Sequence, residues 1–235
     1  MPCVAAENDG SNVTYPLSTI EWHPAFRIIP TRFPTINLFD RVASPEDFDA
    51  LYALEAMTND RLRDELGEIE LVPKSERLYG PGCGPIMAAF THLNPAGSRF
   101  SDGSYGVFYA AREKETAVAE TMYHQGRFLA ATSEAPIQLQ MRVYHVEIAG
   151  SLYDLRGIPA SDAIAAPDSY AASQGVGKQV RAEGGNGIVY RSVRHEPGEC
   201  VAAFRTTVLA NCRHGSQMLY QWDGKGFSGV FEQIM

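Results

Sequence analysis

The segment from Gly97 to Glu120, GSRFSDGSYGVFYAAREKETAVAE, constrains this chain more than any other stretch. A glycine–serine turn carries Arg99, a β-type run follows through Tyr109, and a helical pattern holds Glu120. Ten residues separate Arg99 from Tyr109, and eleven separate Tyr109 from Glu120. A strand-to-helix unit of that length can bring an anion-binding fork, an aromatic face and a carboxylate to one end of a sheet. Such a set suits a phosphate-bearing substrate with a ring to stack and a positive charge that develops during reaction.

The punctuation around this segment sets the fold class. Residues 1–20 are polar and without period, a loose lead-in, which leaves 21–235 as a single domain; mixed folds of that size are often undivided. Phe26 to Ile29 is a short apolar run carrying Arg27 and ended by Pro30. Ser44-Pro45-Glu46-Asp47 reads as a helix start, with a capping serine, proline at the first helical position and acids near the positive end of the dipole. Leu51, Leu54 and Leu62 extend that helix to about Leu66, and Gly67 closes it. Further helices are expected over 86–93, from Thr116 to about Gln125, and over 168–181. Strands are expected over 99–100, 105–110, 138–148 and 200–209, with another starting at Gly187. The 138–148 run alternates well except around Tyr144. A hairpin is expected around the Asp-Gly-Lys-Gly turn at 223–226. Strands and helices mix without a regular βαβ rhythm, so the class is α+β.

Charge and composition exclude several functions. The net charge of −8 argues against a duplex-binding face. Sixteen arginines against four lysines nevertheless permit a local anion site. No apolar run approaches the roughly 18 residues of a membrane span, and the start lacks the basic and apolar regions of a secretory signal, so a cytoplasmic protein is expected. Cys3, Cys83, Cys200 and Cys212 are scattered and read as reduced, packed thiols.

Familiar motifs fail. Gly177-Lys178 is followed by Gln179, and Ala172 stands where a P-loop needs its first glycine. No GxGxxG, GxSxG or HExxH occurs. Cys200, Cys212, His195 and His214 match no standard zinc spacing, so no metal is expected. His23, His92, His124 and His145 read as isolated surface or structural residues.

Arg27 in FRI, Arg99 in GSRF, Tyr109 in YGVFYAA, Glu120 in AVAET and Ser192 in YRSVR stand in an order that resembles the RES-domain family, named for its arginine, glutamate and serine. The resemblance runs over roughly residues 25–210. It implies an ADP-ribosyltransferase-like fold, with a central antiparallel-rich split sheet and flanking helices. It also implies a toxin of a bacterial toxin–antitoxin pair that consumes NAD, blocked by an Xre-type helix-turn-helix antitoxin in a hetero-oligomer.

The residues suit that chemistry. Nicotinamide leaves NAD as a neutral ring from a cationic one, so the site needs no general acid, only orientation and a negative charge beside an oxocarbenium-like ribose. By the resemblance, Glu120 would bind the ribose hydroxyl and stabilise the cation. Arg99 and Arg27 would hold pyrophosphate or ribose, with Arg32 a further candidate. Tyr109 would stack on nicotinamide, and Ser192 would position the ribose or carboxamide. ADP-ribose transfer to a protein is the first reading. NAD breakdown onto water or phosphate is the second. A non-catalytic binding domain on the same fold is the third.

Overall fold

The computed structural model describes residues 14–33, 38–41, 44, 46–47 and 67–233. Most of the helix expected over 45–66 lies outside them. At its expected start, the Asp47 backbone N–H donates to Ser44 Oγ at 3.1 Å, the bond an N-cap serine makes.

Among the described residues, seven strands form one sheet: β1 (Leu17–Pro30), β2 (Phe108–Ala111), β3 (Ile137–Asp154), β4 (Gly187–Arg191), β5 (Glu199–Ala203), β6 (Leu209–Trp222) and β7 (Phe227–Gln233). Their order is β1-β2-β5-β4-β3-β6-β7, with β1 also paired to β3. The run β1-β2-β5-β4-β3 therefore closes on itself, and the β6–β7 hairpin extends from β3. All pairings are antiparallel except β3 with β4, parallel at Tyr153–Ile188 and Asp154–Val189.

Strands covered on both faces explain the nearly continuous apolar runs. On β5, Val201 and Ala203 enter one core while Cys200 and Ala202 enter the other. The irregularity at Tyr144 is a register shift between Arg142 and Tyr144. Met141 and Val143 face one core; Tyr144, Val146 and Ile148 face the opposite one. The side chains keep their period of two through this shift, so the apolar positions pass from odd to even because both faces of the strand are covered.

Among the described residues, three helices of nine residues or more cover the cores. α1 (Cys83–Thr91) contributes Ile86, Met87 and Phe90 to the first. α2 (Lys114–Ala131) and α3 (Ala171–Ala182) contribute Ala117, Val176 and Val180 to the second. No helix among the described residues is long and apolar enough to cross a membrane.

Three expectations need correction. β1 begins at Leu17, so Leu17 to Ile20 belong to the sheet rather than to a loose lead-in. Arg99 and Phe100 form a turn bracketed by a Ser98–Ser101 bridge, not a strand. The expected 200–209 strand is two elements, because β5 ends at Ala203 and a 3-10 turn over Thr206–Val208 leads into β6.

Candidate active site

Arg27, Arg99, Tyr109 and Glu120 line one pocket of about 420 Å³, between β1, β2, α2 and the Arg99 turn. Each side chain is held by its own element.

The Arg99 turn is clamped from α3. Ser173 Oγ donates to Arg99 O at 2.6 Å, and Gln174 Nε2 donates to Ser98 O and Ser101 O at 3.0 and 3.1 Å. Gly177 permits this contact, because a Cβ there would lie 2.1 Å from Phe100 O. Gly97, at φ 73°, starts the turn in the left-handed region that favours glycine. The Arg99 guanidinium is buried. Its Nη1 donates to Ile164 O and Ala166 O at 3.3 and 3.2 Å, and its Cζ lies 4.8 Å from the Tyr170 ring centroid.

Arg27 sits on β1, half-buried, with Nη1 donating to Tyr109 O at 3.0 Å and Cζ 4.6 Å from the Phe108 ring centroid. Burial lowers its pKa from the ordinary arginine value, partly offset by Cys212, Tyr144 and Tyr109. Among the described residues, no carboxylate forms an ion pair with Arg27 or Arg99. Two desolvated cations held by carbonyls and ring faces attract an anion more strongly than solvated ones do.

Tyr109 does more than present a ring. Its hydroxyl lies 2.8 Å from Ser98 Oγ and accepts the Phe100 backbone N–H at 3.0 Å, so it buttresses the turn that carries Arg99. Burial pushes its phenol pKa well above the ordinary value.

Glu120 projects from α2, a helix rich in alanine with Glu113 and Glu115 at its start. Thr121 Oγ1, 2.9 Å from Tyr220 Oη, ties the same turn to β6. Ser192, in the loop after β4, donates from Oγ to Glu120 Oε1 at 2.7 Å. That hydroxyl also accepts the backbone N–H groups of Arg194 and His195, both at 3.1 Å. Ser192 is therefore occupied in holding Glu120. It lines a second cavity, of about 720 Å³, rather than the pocket with the carboxylate.

Arg32 does not join these residues. It is exposed beyond the end of β1, its Cζ 5.2 and 4.8 Å from the ring centroids of Phe33 and Phe128, and it lines neither cavity. His124, read from sequence as isolated, lies in the pocket wall one helical turn beyond Glu120. Loss of hydration first, then Arg194, Arg99 and Arg127, hold its pKa down at about 4. The i, i+4 spacing from Glu120 was a signal for it. Cys200 and Cys212 are buried in strands, and among the described residues no group of three or more His, Cys, Asp or Glu could hold a metal ion.

The chain is similar to known proteins at three levels. A family model described as "RES domain" matches residues 76–223, which include Arg99, Tyr109, Glu120 and Ser192. An uncharacterized protein of Sinorhizobium fredii, y4oC, is 30% identical over 208 residues, covering 88% of this chain and 86% of its own length. Among solved structures, a chain of the M. tuberculosis MbcT–MbcA toxin–antitoxin complex is 13% identical with a TM-score of 0.44, over 88% of this chain and 87% of that one.

Proposed function

This chain belongs to the RES-domain family, and on that premise we propose that it is the toxin of a toxin–antitoxin pair. In this reading it cleaves the nicotinamide–ribose bond of NAD and transfers ADP-ribose to a protein. The observation that carries the proposal is a serine-held carboxylate, Glu120, sharing one pocket with buried Arg99 and half-buried Arg27, neither of which has a carboxylate partner among the described residues.

Arg99 and Arg27 bind the pyrophosphate. Each offers N–H groups fixed in direction by carbonyl partners, so little side-chain freedom is lost on binding. Tyr109 keeps the Arg99 turn in place and offers its ring as a pocket wall. Glu120 lies beside the ribose. As the C1′–N bond lengthens, positive charge grows on the ribose and the pyridinium becomes neutral, so the carboxylate interacts more strongly with the transition state than with bound NAD. Ser192 fixes the carboxylate's direction before substrate arrives. The inhibitory partner is an Xre-type antitoxin that covers the pocket.

Adenylate-labelled NAD incubated with the protein in cell extract tests the reading. Label on a protein band is expected. Free ADP-ribose or its phosphorylated form without labelled protein contradicts transfer, and intact NAD with folded, antitoxin-free protein contradicts NAD cleavage altogether.

A further inference from the structure

The larger cavity meets the Glu120 pocket at two shared residues, Arg99 and Tyr190. Two hydrogen bonds join the loop after β4 to α2, one turn apart on the helix. The first is Ser192 Oγ to Glu120 Oε1 at 2.7 Å. The second links His195 Nδ1 and Thr116 Oγ1 at 2.9 Å. The loop also closes on itself: Ser192 N–H donates to Gly198 O and Gly198 N–H to His195 O, both at 2.8 Å. Gly198 makes the close approach to α2 possible, since a Cβ there would fall 2.2 Å from Thr116 Oγ1.

His195 is thus a half-buried imidazole lining the larger cavity, with one ring nitrogen oriented by a buried threonine. One nitrogen fixed and the other available is the arrangement in which imidazole moves a proton. Its backbone N–H donates to Ser192 Oγ, the hydroxyl that touches Glu120, so the histidine stands two contacts from the carboxylate.

Resting on the NAD-cleaving reading, we propose that the larger cavity receives the acceptor of the ADP-ribosyl group, an O–H nucleophile, and that His195 takes its proton. The C1′–N bond breaks and its electron pair goes to the nicotinamide nitrogen. The acceptor oxygen bonds to C1′. Its proton passes to His195 Nε2 and then to solvent.

A nucleophile that arrives without a proton separates this role from a structural one. Nicotinamide release is measured for the wild type, His195→Gln and Glu120→Gln, with and without azide. In buffer, water is the O–H acceptor; in extract, a labelled protein band whose label survives both hydroxylamine and mercuric ion identifies a protein hydroxyl. Loss of a general base predicts that His195→Gln is slower by at least about tenfold in buffer, and that azide restores most of the rate. Glu120→Gln should stay slow with azide. Gly157 lines the larger cavity, and a Cβ there meets nothing within 4 Å, so Gly157→Phe narrows the cavity without backbone strain. It should lower kcat and leave KM for NAD unchanged.

Should His195→Gln fail to fold, Thr116→Val and Thr116→Ser carry the same comparison. The valine variant should lose rate and regain it with azide, and the serine variant should keep it. An unimpaired His195→Gln, or a folded, impaired one that azide leaves slow, overturns the assignment. A wild type that leaves NAD intact sinks the underlying reading and this inference with it, a result distinct from failure of the histidine variant beside an active wild type.

Discussion

Arginines in two regions of this protein are satisfied in different ways. Away from the Glu120 pocket, Arg156 binds Asp154 at 2.6 Å and Glu199 at 3.2 Å, and Arg205 binds Glu76 at 2.7 Å. In the pocket, Arg27 and Arg99 meet carbonyl oxygens and ring faces instead. The difference bears on function. A compensated arginine locks elements together, and a carboxylate already occupies its fork. An uncompensated one is positioned by dipoles while its charge remains available to a ligand.

The sharpest way to break this comparison is to neutralise Glu120, the carboxylate that shares the pocket with Arg27 and Arg99. Glu120→Gln keeps an oxygen to accept from Ser192, so the fold should survive. NAD consumption should drop by at least about 100-fold, the scale of removing one charge-stabilising group. Steady-state nicotinamide release checks this, with Tm as the control for folding.

Next come the arginines themselves. Arg99→Met should raise KM for NAD by roughly tenfold or more, because a charge-assisted contact to phosphate is lost, and should also lower Tm, because Ile164 O and Ala166 O lose their donor. Arg156→Ala should lower Tm by about 2–4 °C per kcal/mol lost while leaving KM for NAD unchanged. Equal effects of the two variants on KM would erase the distinction between the regions.

A smaller effect is expected at Ser192. Ser192→Ala removes the donor to Glu120, and kcat should fall by about tenfold with KM nearly unchanged, as expected for a residue that aims the carboxylate.

The smallest effect concerns pH. His124 titrates near 4 in the folded protein, against an ordinary 6.5. Below pH 6.5 the unfolded chain takes up a proton that the folded chain refuses, so stability falls as pH drops from about 6.5 toward 4, then levels off. Asp154, held below the ordinary carboxylate range first by its hydrogen bond to Arg156, loses its contribution at lower pH, below 3.8. Urea midpoints across this range should show the first loss diminished in His124→Gln and the second retained.

Local pattern made much of the fold legible. The alternation along 138–148 gave β3, and the Asp-Gly-Lys-Gly turn gave the β6–β7 hairpin, where Asp223 Oδ1 accepts the N–H groups of Lys225 and Gly226, both at 2.8 Å. Strand ends were less legible. β3 runs on to Asp154 because β1 and β4 pair with it there, a contact between distant segments.

The site divided in the same way. Arg99, Tyr109 and Glu120 were legible as a short-range unit. The partner of Glu120 was not, since Ser192 lies 72 residues further on and meets it only in three dimensions. Thr116 and His195, 79 residues apart, left no local trace. Arg32 was misplaced because nearness in sequence is not nearness in space: five residues on from Arg27 it lies past Pro30, outside the strand. Gly177, rejected as a P-loop glycine, is small for another reason, the packing of α3 against the Arg99 turn.

Calorimetric titration of NAD into Glu120→Gln tests most directly whether the uncompensated arginines are an anion site awaiting a dinucleotide. The variant should bind NAD, and adding Arg99→Met should weaken the affinity by at least about tenfold. Folded Glu120→Gln protein that shows no binding heat, or equal affinity with and without Arg99, would contradict it.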